Sequence, residues 1–297
     1  MTRSWKAGAI ALALSATAAQ AQQAAPVPAA VPTPAVPGYT MPSTQMWDMT
    51  APNGAIYRIF VSYPGKDIAP PPGGFPVLYV LDGNAMFAGF AEARRIQEGT
   101  DIGKSIVVGV GYPGDAAYDI RRLDDLTGGP PPPPWEALGK SPYGHWERFL
   151  DFLTGPLRTE IGKRFPVNPA RQALFGHSLG GLFAAHALLT RPGAFHAIVA
   201  ASPSLFWQEQ EMLKEERDFA AGLASGKIAK VARIMVVAGE RDETALERWD
   251  PQAFAKRIEP LSAYGLRSRF ELYPGEVHIT VPSRSVTETL RFAFTWP

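Results

Sequence analysis

Apolar runs of strand length alternate with segments of helical periodicity along most of the chain, and this alternation constrains the fold more than any other feature. FPVLYVLDG (75–83) and SIVVGVGYP (105–113) are continuous apolar runs, as strands buried on both faces are. NAMFAGFAEARRIQE (84–98), between them, has apolar residues at helical spacing. Such alternation predicts an α/β fold with a mostly parallel central sheet and helices on both of its faces. The other predicted strands are 55–63, 171–177, 194–203, 233–240 and 268–275, and the other predicted helices are 145–165, 179–192, 253–265 and 281–294.

The first 38 residues stand outside this pattern. Residues 1–21 combine two basic residues, a short apolar run and the small-residue sequence Ala-Gln-Ala, which predicts a secretory signal peptide rather than an uncleaved anchor. The apolar run is too short for a stable membrane span. Residues 22–38 are rich in alanine and proline and predict an extended linker. Residues 39–297 are predicted to form one folded domain, because no second shift in composition appears.

Composition excludes several kinds of site. The chain has no cysteine, which rules out a thiol nucleophile, a disulfide framework and thiolate metal sites. Its formal net charge is +1, so no strong positive field points to nucleic acid. Neither a thiol enzyme nor a strongly basic nucleic-acid-binding protein is therefore predicted.

A G-x-S-x-G motif, Gly176 to Gly180, lies between a predicted strand and a predicted helix. In that context the motif is typical of a sharp, strained turn that presents Ser178 as a nucleophile. A side chain at either flanking glycine is expected to crowd the neighbouring strand or helix. The backbone N–H of Leu179, at the helix start, is expected to point at a developing oxyanion. The alternative is a glycine-rich bend that only leads into a core helix.

An alcohol needs a base to act as a nucleophile at neutral pH, and the chain has five histidines. His278 follows the last predicted strand, where the chain order serine, acid, histidine places the base. The acid should follow a strand between the two, and VVAGERDETALE offers Asp242, three residues after a strand-end glycine. Glu240 and Glu243 are alternatives, and a pair without an acid stays open.

The second oxyanion donor is expected after the strand FPVLYVLDG. The backbone N–H of Asn84 is the candidate there, and Asp82 is expected to be a structural residue that ties the loop down. The segment 114–144 interrupts the alternation with five consecutive prolines, which exclude a helix or a central strand. We expect this segment to form a loop over the strand ends, as part of a wall of the substrate site.

Several stretches, in the same order along residues 50–295, resemble the esterase branch of the α/β-hydrolases. They are VLYVLDGNAMF, YDIRRLDDLT, GHSLGGLFAAHALLTRP, ASPSLFW and PGEVH. The resemblance is greatest to periplasmic siderophore esterases, which cleave ferric enterobactin and related catecholate trilactones. It implies an α/β-hydrolase catalytic domain over 39–297 and an oxyanion N–H at Asn84. In some of these esterases the catalytic site resembles a serine–histidine pair without a strong acid. The chain departs from the family pattern in PGEVHITVP, which lacks the glycine that often follows the histidine, and in the proline run after RRLDDLT.

A ferric tris-catecholate is anionic and presents flat aromatic faces, so its site should offer guanidinium and aromatic groups. Arg121 and Arg122 on the loop, and Trp207 after a strand end, are the predicted substrate-binding residues. Alternatively, the two arginines pair with Asp124 and Asp125 at the loop surface. Phe206 and Trp207 would then form a core plug, with both side chains packed under the loop.

The resulting prediction is a periplasmic or secreted serine esterase that hydrolyses the lactone bonds of a ferric catecholate siderophore, such as enterobactin, through an acyl-serine intermediate, and so releases iron. No metal or organic cofactor is predicted, since iron arrives only with the substrate. Neither nucleic acid nor a stable membrane span is expected. One alternative is a general carboxylesterase for feruloyl, acetyl or other small acyl esters. Another is a siderophore-binding protein without activity, against which the presence of both Ser178 and His278 argues.

Overall fold

A mixed sheet runs through the centre of the protein. The computed structural model describes residues 39–133, 142–242 and 250–295. Within these residues the strands are β1 Thr44–Thr50, β2 Ile56–Ser62, β3 Phe75–Leu81, β4 Ile106–Gly111, β5 Val167–His177, β6 Ala197–Ala201, β7 Arg233–Gly239 and β8 Ser268–Tyr273. Their order in the sheet is β1-β2-β4-β3-β5-β6-β7-β8. β2 pairs antiparallel with β1 and with β4, and all other neighbouring strands are parallel. The predicted α/β fold with a mostly parallel sheet is confirmed.

Helices pack on both faces of this sheet. In the described part of the chain they are α1 Gly83–Arg95, α2 Arg122–Asp125, α3 Trp146–Phe152, α4 Arg158–Arg164, α5 Leu179–Thr190, α6 Glu209–Ala224, α7 Pro251–Ile258 and α8 Val281–Phe294. A π-helical turn, Leu153–Leu157, joins α3 to α4 where Pro156 interrupts the regular hydrogen bonding. The predicted helix over 145–165 is therefore present as one continuous helical segment with a π-helical turn in its middle.

The side chains of each central strand alternate between two hydrophobic cores. In β3, Val77 and Tyr79 face a core shared with α3 to α7, whereas Leu78 and Val80 face a core shared with α1 and α8. Helix α5 is buried along its whole length except for its last residue. The helix that begins at the G-x-S-x-G motif is thus held firmly against the sheet.

Each predicted strand is present, but within the described residues two long elements, β1 and α6, and the short helix α2 in the loop 114–144 were not predicted. β1 is an edge strand with mostly exposed side chains, so its sequence lacks a strong apolar pattern. α6 buries only part of its surface, through residues such as Met212, Phe219 and Leu223 among many charged neighbours. β1 and α6 lie at the periphery of the fold, where partial burial leaves a weak apolar pattern in the sequence.

The last turn of α8 lies against the amino ends of the central strands. Arg233 Nη2 donates to the carbonyl oxygen of Phe292 at 2.8 Å, and His196 Nε2 lies 2.9 Å from that of Ala293. Arg171 donates to the carbonyl oxygen of Phe294. These groups satisfy carbonyls that a helix end leaves without partners, and the two arginines place positive charge at its negative end.

Several predictions fall outside the described residues. They include the signal peptide 1–21, the linker 22–38, part of the proline-rich loop 114–144, and the alternative acid Glu243. The chain from Met41 onward forms one compact unit. Among the helices that the structure describes, none has the length and hydropathy needed to cross a membrane.

Candidate active site

Ser178 occupies a strained turn between β5 and α5. Its backbone has φ 59° and ψ −117°, outside the regions that L-residues normally adopt. A Cβ at position 176 would lie 2.0 Å from the carbonyl oxygen of Gly180, so only glycine fits there. The expectation for Gly180 itself was wrong, because a Cβ at that position would meet no atom closer than 3.5 Å. The crowded position is Gly181 instead, because a Cβ there would lie 2.8 Å from the carbonyl oxygen of Ala201.

The end of β6 supports this turn. The backbone N–H of Ser178 donates to the carbonyl oxygen of Ala201 at 3.0 Å, and the N–H of Ser204 donates to the carbonyl of Ser178 at 3.1 Å. The two hydroxyls also meet, with 3.2 Å between Ser178 Oγ and Ser204 Oγ. Ser204 was not singled out from the sequence, although it belongs to the ASPSLFW stretch that follows β6.

His278 and Asp242 meet at the carboxyl end of the sheet. His278 Nδ1 lies 3.0 Å from Asp242 Oδ1, and the aspartate side chain is almost fully buried. The turn that carries the acid and the loop that carries the imidazole are joined by backbone bonds, including Arg241 N–H to the carbonyl of Glu276 at 2.9 Å. The alternative acid Glu240 instead accepts a hydrogen bond from the N–H of Gly275 at 2.9 Å. Of the candidate acids that the structure describes, Asp242 is thus in contact with the imidazole.

The histidine of the motif itself faces this loop. His177 is buried, and its Nε2 lies 2.8 Å from the backbone carbonyl oxygen of His278. The ring centroids of His177 and His278 are 4.6 Å apart. Burial, together with the nearby imidazole of His278, lowers the pKa of His177 to about 3. His177 is therefore neutral at physiological pH, and its Nε2 carries the hydrogen that the carbonyl accepts.

Leu179 and Asn84 each lie in the first turn of a helix, where backbone N–H groups have no partner within the helix. Asp82 precedes α1 with φ 52° and ψ 48°, so the chain turns sharply there. The side chain of Asn84 is fixed at the end of β4: its Oδ1 accepts from the N–H of Tyr112 at 2.8 Å, and its Nδ2 donates to the carbonyl of Tyr112 at 3.0 Å. Both predicted amides thus belong to helix starts that follow strand ends.

Arg122 forms a bidentate ion pair with Asp82. The Nε–Oδ1 and Nη2–Oδ2 distances are 2.7 and 2.9 Å, and both side chains are largely buried. The guanidinium also lies over the ring of Tyr118, with 5.4 Å to the centroid. The prediction that Asp82 ties down this loop fits the geometry, since a paired, hydrogen-bonded charge holds the turn before Asn84 in place.

Arg121, in contrast, remains at the surface. Its side chain is 45% exposed, and it forms a bidentate pair with Asp119, with both N–O distances at 2.8 Å. The alternative pairing of Arg121 and Arg122 with Asp124 and Asp125 is therefore wrong. Those aspartates have other partners because the short helix α2 turns them away from the arginines: Asp124 contacts His145 and Arg148, and Asp125 contacts two tyrosines.

Asp125 is a buried carboxylate beside this region that sequence reasoning did not single out. The hydroxyls of Tyr57 and Tyr112 each donate to it at 2.9 Å. Burial raises the pKa of Asp125 to about 6, although the two tyrosine hydrogen bonds oppose that shift. Because Tyr112 also pairs with Asn84, Asp125 is linked to the start of α1 through one tyrosine.

Trp207 lies under the loop. Only 6% of its surface is exposed, and its Nε1 donates to the carbonyl oxygen of Gly129 at 3.1 Å. This geometry favours the core plug over the substrate-binding role predicted for Trp207, because little of the indole is left to face a ligand. The described part of the proline-rich segment is thus anchored to the end of β6 from below.

Comparisons with known proteins agree on one family. The model of the family described as "Putative esterase" matches residues 54–280. The chain is 35% identical to ferri-bacillibactin esterase BesA of Bacillus subtilis over 269 residues, which cover 86% of this chain and 91% of that protein. It is 40% identical over 186 residues to a siderophore triacetylfusarinine C esterase of Aspergillus fumigatus, covering 60% of this chain and 62% of that one. The crystal structure of the BES protein from Bacillus cereus superimposes with a TM-score of 0.77 at 30% identity, covering 90% of this chain and all of the other.

Proposed function

The chain belongs to the esterase family whose model matches residues 54–280, and on that premise we propose that it is a serine esterase that hydrolyses the ester bonds of a ferric catecholate siderophore lactone. The observation that carries the proposal is the similarity to ferri-bacillibactin esterase along 91% of that protein. The contact between His278 and Asp242, beside the strained turn of Ser178, supplies the matching chemistry.

In the first half of the proposed reaction, Ser178 Oγ attacks the ester carbonyl carbon while His278 Nε2 takes the hydroxyl proton. Asp242 holds Nδ1 of the ring and stabilises the imidazolium that forms. The negative charge that develops on the carbonyl oxygen is bound by the N–H groups of Leu179 and Asn84, which are fixed before the reaction begins. The tetrahedral intermediate then collapses, the C–O bond to the alcohol breaks, and His278 gives its proton to the leaving oxygen.

In the second half, His278 takes a proton from water, and the resulting hydroxide attacks the acyl carbon bound to Ser178. The acyl–oxygen bond to the serine breaks, and the proton returns to Ser178 Oγ. For a lactone, one cycle opens the ring and leaves a free acid at one end of the product and a free alcohol at the other. The proposed chemistry needs no metal or organic cofactor, because iron is part of the substrate and leaves once the opened ligand binds it less tightly.

The charge distribution near the site supports an anionic aromatic substrate. Arg121 is exposed on the loop, and Tyr118, beside the buried Arg122, is also exposed. Each of the two arginines predicted to bind substrate is paired with an aspartate, but Arg121 has the more exposed side chain, at 45% against 12% for Arg122. A periplasmic or secreted location is part of the proposal, and it rests on residues 1–21 alone.

The test compares kcat/KM for ferric enterobactin, iron-free enterobactin, a p-nitrophenyl ester and a feruloyl ester on the same preparation. We expect the ferric trilactone to be preferred, with Ser178→Ala abolishing turnover of all four. Hydrolysis of the simple esters with no turnover of either siderophore form would overturn the substrate and favour a general carboxylesterase. Tight siderophore binding without hydrolysis of any ester would overturn the catalytic assignment.

A further inference from the structure

We infer that His177, the residue before the nucleophile, is a positioning residue that holds the loop of the catalytic base by its hydrogen bond to the backbone carbonyl of His278. The inference rests on the roles proposed for Ser178 and His278. It adds a residue whose side chain touches neither the substrate nor the reacting atoms. A hydrogen bond from the nucleophile turn directly to the base loop would fix the relative placement of the two reacting groups.

The geometry of His177 suits this role. The side chain projects from the end of β5, is 3% exposed, and places Nε2 2.8 Å from the carbonyl oxygen of His278. Among the described residues, no group hydrogen-bonds its Nδ1, so the bond to the loop is the polar contact that the buried ring makes. A buried imidazole with one satisfied nitrogen is costly, and such a residue in a site calls for an explanation.

The base loop, which follows β8 and carries His278, is otherwise attached on its opposite side. Arg241 N–H donates to the carbonyl of Glu276, Glu240 N–H donates to the carbonyl of Tyr273, and the carboxylate of Glu240 accepts from Gly275 N–H. All these bonds join the loop to the turn after β7, which carries Asp242. They fix the imidazole relative to its acid but not relative to Ser178. The bond from His177 supplies that second attachment, because His177 is covalently next to the nucleophile.

The charge state of His177 is compatible with this role throughout the reaction. The ionisable groups that act on it are His278 and Arg122, which disfavour its charged form, and Asp242, which favours it. Burial is the largest cause of the lowered pKa of His177, and it keeps the ring neutral. A neutral ring donates one hydrogen to the carbonyl and adds no charge when His278 becomes an imidazolium 4.6 Å away, centroid to centroid.

Three substitutions at one position separate positioning from packing. Glutamine presents an amide N–H near the place of Nε2, asparagine stops near the place of Nδ1, and phenylalanine keeps the ring without a donor. We expect His177→Phe and His177→Asn to lower kcat for a p-nitrophenyl ester by about 10- to 100-fold with KM nearly unchanged, because a base displaced by a fraction of an ångström transfers the proton less efficiently. His177→Gln should recover most of that loss. The rate of fluorophosphonate labelling, which needs no siderophore, should follow the same order.

His196→Phe is the matched control. His196 makes the same kind of bond, 2.9 Å from Nε2 to the carbonyl of Ala293, at the other end of the sheet. The His196→Phe variant should have a lower melting temperature, as His177→Phe does, and an unchanged kcat. Equal kcat for His177→Phe and wild type, or a failure of glutamine to do better than asparagine, would overturn the inference. If Ser178→Ala or His278→Ala kept wild-type labelling, the proposed function itself would fail, which is a separate outcome.

Discussion

At the carboxyl ends of the strands and again at their amino ends, a histidine donates a hydrogen bond to a backbone carbonyl. His177 bonds to His278 at the first, and His196 bonds to Ala293 at the second. The two bonds have nearly the same length, but the first carbonyl belongs to a short loop that carries an imidazole and the second to the last turn of a helix. The same interaction therefore supports catalytic geometry at one end and a helix terminus at the other.

Backbone strain follows the same division. Four non-glycine residues of the described chain have positive φ, and three of them, Asp82, Ser178 and Ser202, directly follow the carboxyl ends of β3, β5 and β6. Strained conformations persist only where the surrounding contacts hold them, and they concentrate at functional sites. We therefore expect substitutions at the carboxyl ends to change reaction rates, and substitutions at the amino ends to change stability alone.

The largest effect is expected at the acid. Asp242→Asn keeps the size of the side chain but leaves His278 without a carboxylate at Nδ1, and we expect kcat to fall by about 10²- to 10⁴-fold. Glu240→Gln is the matched control, because Glu240 bonds the backbone of the same loop from an exposed position. Steady-state kinetics on a p-nitrophenyl ester measures both. Equal activity of Asp242→Asn and wild type would show that the reaction uses a serine–histidine pair without an acid.

A smaller loss of kcat is expected at Arg122, which holds the turn before Asn84 through its ion pair with Asp82. Arg122→Lys keeps the charge but cannot form the bidentate pair with Asp82, so the turn before Asn84 should loosen and kcat should fall by about tenfold. Arg121→Lys, one residue away and exposed, should leave kcat for a simple ester unchanged. Equal losses of kcat for the two variants would contradict the different roles assigned to the buried and the exposed arginine.

A substitution of Asp125 tests the carboxyl end of the sheet by its effect on stability. Its pKa is about 6 in the folded chain and about 4 when unfolded, so between these values the folded chain holds a proton that the unfolded chain has released. The free energy of unfolding should therefore fall as pH rises from about 4 to about 6, by about 3 kcal/mol relative to Asp125→Asn. Urea titrations of both proteins across this range measure the difference. A constant difference would show that Asp125 titrates normally.

An effect on stability alone is expected at the amino ends of the strands. Arg233→Met removes the bonds to the carbonyls of Phe292 and Ala293, and we expect the free energy of unfolding to fall by about 1 to 2 kcal/mol. Chemical denaturation measures the loss, and the kcat of the variant should equal that of the wild type. A reduced kcat would mean that the two ends of the sheet are not independent.

Much of the fold could be predicted because the central strands are buried on both faces and leave unbroken apolar runs in the sequence. Strands β3 and β4 were expected on that ground. β2 was expected instead from its alternation of apolar and polar residues, as in a half-exposed strand. The exposed edge strand β1 was not, because a strand with few buried side chains has little apolar periodicity. The π-helical turn at Leu153–Leu157 also has a weak signal, since a lone proline can be accommodated within a helix by a local change of hydrogen bonding.

The candidate site was predictable where chain order determines position, and less so where long-range contacts do. Ser178, His278 and Asn84 follow strand ends that a parallel sheet brings to one edge. The partner of Arg122, however, is Asp82, forty positions away along the chain, and local spacing suggested nearer aspartates. The bond from His177 to His278 spans 101 positions, so no local pattern could have indicated it.

Covalent labelling tests the central claim most directly. The protein would be treated with a fluorophosphonate, and the modified residue would be located by peptide mass spectrometry while ester hydrolysis is followed in parallel. The account predicts a single adduct on Ser178, formed at the rate at which activity is lost, and no adduct on Ser178→Ala. An active enzyme that resists labelling, or an adduct on another residue with Ser178→Ala still active, would contradict it.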